Sequence, residues 1–198
     1  MHHRTWGVGL GAVCAVVIAG LLVTSAAAAP LVSSTFNRTT EGWLVAGDST
    51  SANPTRVATG GNPGGYISAE DSVAGGITYW VAPAKFRGDQ GDAYGGLLTF
   101  SLRQDNNSNQ FDADDVIIEG DGLTLVHNNA ANPAVAPNWT TYRVRLRPAQ
   151  FTKSGGRVTA RNLQDALGSI TDLRIRAEYV SGPDTDDLDN VRLLPPGA

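Results

Sequence analysis

Apolar residues recur along much of this chain with a period of two. In residues 97–103, LLTFSLR, Leu98, Phe100 and Leu102 alternate with Thr99, Ser101 and Arg103, the spacing of a strand with one face on a core and the other toward solvent. Short runs at 43–46, 77–81, 116–119, 123–127, 141–147, 173–180 and 191–194 predict further strands. Most glycines and prolines after residue 28 fall between these runs, as turn formers should. One helix is expected near 159–168: Thr159 can cap its start, Leu163 and Leu167 share a face, and Gly168 can end it in the left-handed conformation. Segment 47–63, rich in Ser, Thr, Asn, Pro and Gly, is expected to be a long loop, because too little chain precedes it to make a separate domain. Many short strands with Gly and Pro punctuation predict an all-β fold, an antiparallel β-sandwich of the jelly-roll kind with one short helix.

The N-terminus breaks the alternation. Arg4 precedes an uncharged apolar run over 6–23, and small residues follow at 24–29, the layout of a secretory signal peptide. Cleavage is expected before Ala28 or Ala29, giving a leader of 1–28 and one domain over 29–198. The alternative is an uncleaved anchor, since the apolar run approaches the roughly 20 residues that span a bilayer. Cys14, the one cysteine, lies in the leader, so the secreted domain has no disulfide and relies on packing. The chain carries 15 basic and 19 acidic residues, a formal net charge of −4, and nothing in that balance invites nucleic acid, which would want a basic surface.

Five separated blocks, TYWVAPAKFRGDQ, AYGGLLTFSLR, DVIIEGDGLTL, LRIRAEY and LDNVRL, resemble in order and spacing the laminin B domain, also called laminin IV type A. The resemblance runs from about Gly64 to Leu194, and its most specific parts are Tyr79 to Pro83 with Lys85-Phe86, Asp115 to Gly120, and Asp189-Asn190-Val191. It implies a galactose-binding-like jelly roll of extracellular matrix and cell-surface proteins, without enzymatic activity. In animal proteins the domain lies among cysteine-rich EGF-like modules, which are missing around it in this sequence.

After the leader the chain has one histidine, His127, no cysteine and no Gly-x-Ser-x-Gly elbow, which excludes a Cys-His pair and leaves any Ser-His-Asp triad resting on His127. Asp112, Asp114, Asp115 and Glu119 could supply the acid pair of a glycan-active hydrolase. Asp184, Asp186, Asp187 and Asp189 concentrate hard oxygen ligands suited to Ca²⁺. By similarity to jelly-roll binding modules, a structural Ca²⁺ is expected between Glu41 near the first strand and Asp187 and Asp189 at the last. The Asp105 loop imitates an EF-hand start but has Gln110 in place of glycine and Val116 in place of the closing Glu.

Aromatic rings offer a sugar platform, with Trp43, Trp80, Trp139, Tyr66, Tyr79 and Tyr94 as candidates and core packing as the competing role. Tyr79 is expected inside, Trp80 partly outside and Trp43 in the core. Arg143, Arg145 and Arg147 alternate with apolar residues, as do Arg174 and Arg176. If the two strands adjoin, their guanidinium groups make one face for sulfated or carboxylated glycans, and the competing reading pairs them with acids such as Glu178. Asn37-Arg-Thr, Asn106-Asn-Ser and Asn138-Trp-Thr match the N-glycosylation triplet. The sequence therefore predicts a secreted, non-catalytic, monomeric binding or adhesion domain for an extracellular glycan or protein, with ligand residues drawn from Trp80, Tyr94, Trp139, Arg143, Arg145, Arg174 and Arg176. A carbohydrate-binding module with a calcium-stabilised jelly roll is the alternative.

Overall fold

The computed structural model describes residues 1–3, 28–72 and 75–198, so the leader expected over 1–28 lies, from 4 to 27, outside the described residues. In chain order the strands are β1 Val32–Ser34, β2 Leu44–Ala46, β3 Thr55–Gly61, β4 Gly64–Asp71, β5 Tyr79–Val81, β6 Leu97–Gln104 and β7 Val116–Gly120. They continue as β8 Leu123–His127, β9 Ala134–Val135, β10 Thr140–Arg145, β11 Thr152–Lys153, β12 Gly156–Arg157, β13 Ile170–Arg176 and β14 Asp184–Leu194, with helix α1 Ala160–Leu167 before β13. Sheet A runs β10-β6-β14-β4-β3, with β1 added to β14 and β9 to β6, and sheet B runs β12-β11-β8-β7-β13-β5-β2. Except for the short parallel β6–β9 pair, the ladders are antiparallel. The result is the expected two-layer sandwich.

Alternation fills the space between the sheets. Leu98, Phe100 and Leu102 of β6 face Ile118, Leu173 and Ile175 of sheet B across a continuous apolar core. Trp43 belongs to it as expected, its indole N–H donating to Ser34 Oγ at 2.9 Å and its ring meeting Phe36 and Phe86 edge-on. Register reverses the expectation for β5. Trp80 lies opposite Val45 on one side and Ile175 on the other, so it points inward and is fully buried. Tyr79 and Val81 therefore point outward and are only partly covered.

The elements differ from the sequence reading in three places. Segment 47–63 contains β3, which pairs with β4 as a hairpin. The run 173–180 leaves the ladder after Arg176. Most consequential, the last strand expected over 191–194 starts earlier, and the acid run 184–189 is the first half of β14, the longest strand, set between β4 and β6. Aspartate is disfavoured in strands, but the two flanking ladders impose the extended form. Helix α1 has its capping box, Thr159 accepting from the Asn162 N–H and the Asn162 side chain accepting from the Thr159 N–H. Gly168 ends it in the right-handed region, at φ −69°, rather than the left-handed one.

A polar clasp ties the N-terminal strands to the turn at Ala84–Phe86. Glu41 accepts from the Thr35 and Phe36 N–H groups at 2.9 and 2.8 Å and pairs with Lys85 Nζ at 2.5 Å, while Lys85 also donates to the Ser33 carbonyl. Burial pushes the Glu41 carboxyl up, but the Lys85 ammonium and the two N–H groups outweigh it and hold the carboxyl below its usual value.

Two predictions follow from this packing. Trp80→Ala should cost about 3–5 kcal/mol in urea unfolding, as a core truncation, whereas a solvent-facing Trp80 would give a change of under about 0.5 kcal/mol. The clasp stabilises the fold when Glu41 is ionised, so the stability difference between wild type and Glu41→Gln should be constant above about pH 5 and shrink as pH falls through the lowered carboxyl value.

Candidate functional site: a polar groove on sheet A

The face of sheet A that points away from the core is built by three neighbouring strands. β6 supplies Thr99, Ser101 and Arg103, β10 supplies Thr141 and Arg143, with Trp139 just before the strand, and β14 supplies Asp187 and Asp189. A bulge at Asn190, whose φ is 52°, shifts the register so that Asp189 stands opposite Ser101 and Arg192 opposite Thr99.

This outer face is not open to water, because the β3–β4 turn folds back onto it. The Asn62 N–H donates to Asp189 Oδ2 at 2.6 Å, its side-chain amide reaches the Ser101 and Thr141 hydroxyls at 3.2 Å each, and the Asn190 amide donates to the Asn62 carbonyl. Gly61 makes the approach possible, since a Cβ there would lie 2.7 Å from Asp189 Oδ2 and 2.6 Å from the Gly65 carbonyl oxygen. Thr99, Ser101 and Arg103, expected in solvent, are consequently buried. Burial pushes the Asp189 carboxyl up to about 6, against the lowering effect of the Asn62 and Asn190 N–H groups.

Between the turn and the strands lies a groove of about 200 Å³ lined by Asn62, Ser101, Thr141, Arg143, Asn190 and Arg192, with Thr99 and Leu194 at its base. Carboxamides and hydroxyls both donate and accept, and the two guanidinium groups only donate. Such a lining suits a ligand rich in hydroxyl or anionic oxygens.

A stack of three side chains stands beside the groove. The Arg103 guanidinium lies 4.4 Å from the Trp139 ring centroid and 4.5 Å from that of Tyr66, and the two rings meet edge-on at 5.5 Å. Arg103 Nε donates to Asp187 at 2.7 Å, and Arg103 Nη1 and the Trp139 indole N–H both donate to the Gly60 carbonyl at 3.1 Å. A charge that is 9% exposed is thus held by a carboxylate and two π faces. Burial still leaves the Asp187 carboxyl above its usual value despite Arg103.

Of the residues singled out from sequence, Trp139 and Arg143 meet at this site, and Arg145 is exposed further along β10. The others do not. Arg174 and Arg176 belong to sheet B, so the two arginine stripes never adjoin. Arg174 pairs with Asp172 at 2.6 Å. Arg176 is buried between the Phe111 and Tyr179 rings, donates to the Phe111 and Glu178 carbonyls and lies 3.5 Å from Asp115. Trp80 is core, and Tyr94 packs on the core edge.

The metal residues expected together are apart: Glu41 is in its clasp, Asp187 on Arg103, and Asp189 on the Asn62 and Asn190 N–H groups. Among the described residues, the acids that gather are instead Asp48, Asp71 and Glu178. Nor does Glu178 balance an arginine: its carboxylate accepts from the Thr78 N–H at 2.9 Å. His127 Nδ1 meets the Gln150 carbonyl at 2.7 Å, and its ring tilts against Phe151. Asp115 is taken by the Asn129 N–H and Arg176, while Asp112 and Asp114 are exposed. Sequence reasoning missed Asn62, Asn190 and Arg192, for which the sole local signal was the Gly-Gly-Asn-Pro-Gly-Gly turn composition.

Comparison with known proteins agrees with this architecture. Residues 79–194 match the family described as Laminin B (Domain IV). Laminin subunit gamma-1 of Homo sapiens is 34% identical over 117 residues, 58% of this chain and 7% of that protein. The Danio rerio gamma-1 subunit is 31% identical over 165 residues, 82% of this chain and 10% of that protein. The chain thus spans a small fraction of these relatives. The L4b domain of human laminin alpha-2 superposes with a TM-score of 0.64 at 15% identity, covering 86% of this chain and all of that one. The family 11 carbohydrate-binding module from Clostridium thermocellum, solved in complex with a β-1,3-1,4-mixed-linked tetrasaccharide, gives 0.51 at 13% identity, covering 86% of this chain and 98% of that one.

The Arg103 stack can be tested by unfolding. Asp187→Ala leaves a buried guanidinium without its counter-charge and should cost about 3–5 kcal/mol, while Arg143→Ala, at an exposed position, should stay within about 0.5 kcal/mol of wild type.

Proposed function

Because the chain belongs to the Laminin B (Domain IV) family, we propose that it is a secreted, non-catalytic binding module of the cell surface or extracellular matrix, and that the groove on sheet A takes an oligosaccharide carrying carboxylate or sulfate groups. The observation that carries this reading is the lining of the groove. Arg143 and Arg192 supply fixed positive charge, Asn62, Asn190, Ser101 and Thr141 supply the two-way hydrogen bonding that sugar hydroxyls need, and a part-exposed Trp139 stands beside them. The carbohydrate-binding module of similar fold gives general support, though its likeness extends to the fold alone. Against catalysis, the residues considered for it from sequence do not assemble: His127 and Asp115 are held by structural partners, and Asp112 and Asp114 are exposed.

A glycan array containing uronate and sulfated oligosaccharides should show binding by the full chain. Arg143→Ala should weaken it at least about tenfold, the order expected for losing one charge-assisted hydrogen bond, with an unchanged melting temperature, and Trp139→Ala should weaken it as well. A folded protein that binds no saccharide on the array would remove the glycan reading.

A further inference from the structure

On the opposite, core-facing side of sheet A, at the end of the sandwich, carboxylates converge from four separate segments. Asp71 and Asp184 stand directly opposite each other in the β4–β14 ladder, so their side chains leave the same face of the sheet. Asp48 arrives from the chain after β2, and Glu178 from the chain after β13. One carboxylate oxygen each of Asp48, Asp71 and Glu178 lies within 4.8 Å of the others. Two oxygens bound to one Ca²⁺ at about 2.4 Å can be no more than about 4.8 Å apart, so this spacing admits a shared ion.

Grouped acids alone would show little, but several carboxylate oxygens of Asp48, Asp184 and Asp186 lack a donor from the surrounding chain. Asp184 and Asp186 are 3% and 1% exposed and their carboxyl groups meet each other, Asp184 also taking the Val180 and Tyr179 N–H groups, while both oxygens of Asp186 find no donor elsewhere in the described residues and Asp48 Oδ2 finds none. Among the described residues no Lys or Arg pairs with Asp48, Glu178, Asp184 or Asp186. The Thr78 hydroxyl donates to Asp48 Oδ1 at 3.1 Å and the Thr78 N–H to Glu178 Oε2, which orients both carboxylates. Gly76, at φ +94°, packs so closely on the Asp48 carboxylate that a Cβ there would lie 2.4 Å from Oδ2. Burial, reinforced by the charges of Asp48, Asp71 and Asp184, pushes the Glu178 carboxyl up to about 7, which registers the same crowding. Uncompensated carboxylates in such a setting are costly, and a divalent cation would neutralise them.

We propose that Asp48, Asp71 and Glu178 bind a calcium ion that joins the loop after β2, the end of β4 and the chain after β13, with Asp184 adding negative charge beside it. All the donors are hard oxygens, with no imidazole or thiolate, which favours Ca²⁺ over Zn²⁺ or Cu²⁺. The site differs in every residue from the Glu41, Asp187 and Asp189 set expected from sequence, and it does not depend on what the groove binds.

Calorimetric titration and thermal denaturation of the full chain, stripped with EDTA, test it. Calcium should bind at one saturable site and raise the melting temperature by about 5–10 °C at about 100 times its Kd, with magnesium far weaker. Asp71→Asn combined with Glu178→Gln should abolish the calcium response while leaving the metal-free melting temperature equal to or above that of wild type, because repelling charges are gone. If that double variant does not fold, Asp48→Asn, at a part-exposed position, should weaken calcium binding at least about tenfold. Asp112→Asn with Asp114→Asn, in the exposed acid loop, should bind calcium as wild type does. No saturable binding and no thermal shift up to about 10 mM calcium would overturn the proposal in favour of acids held neutral by protons, and a full response in the double variant or in Asp48→Asn would overturn it by placing the ion elsewhere.

Discussion

Both faces of β6 and most of β14 are out of water, and each buried polar side chain on these two strands must therefore find its partner inside the protein. This constraint separates sheet A from an ordinary half-solvated sheet. On the inner face the demand is light, because Leu98, Phe100, Leu102, Leu188, Val191 and Leu193 simply join the core. On the outer face it falls on Thr99, Ser101, Arg103, Asp187 and Asp189, and the β3–β4 turn, Trp139 and Tyr66 answer it.

The groove is a by-product of that answer. A turn that must reach Asp189 and Ser101 cannot cover the whole face, and Arg143 and Arg192 remain at its open edge. The arrangement also explains why the lining is preorganised. Asn62 is held by Asp189, Ser101, Thr141 and Asn190, so its polar atoms are fixed before any ligand arrives, which lowers the ordering cost of binding. The Arg103 stack plays the same part for Trp139.

At the far end of the same two strands the inner face turns acidic, and the apolar solution stops. Asp184 and Asp186 occupy positions where alternation would place leucine or valine, and among the described residues no arginine pairs with them as Arg103 pairs with Asp187. The strand thus carries two kinds of buried aspartate: outward ones held by the protein's own donors, and inward ones that crowd against each other beside the acid group of Asp48, Asp71 and Glu178.

The sequence alone determined the two-layer class, the inward set Leu98, Phe100 and Leu102, the place of Trp43, the capped helix and the family. Each of these rests on local periodicity, a local capping motif or a colinear pattern. It could not determine which faces the rest of the chain would cover. Alternation assigns Trp80 and Tyr79, or Thr99 and Phe100, to opposite sides, but which side is core, and whether the other side is also buried, depends on register with strands up to about a hundred residues away. For the same reason the acid run 184–189 fell outside the strand expected over 191–194 and is part of a central strand, because two flanking ladders contribute more than the local preference of aspartate removes. The groove and the gathered acids exist only where distant segments meet, and that meeting is set by the order of strands in the sheets.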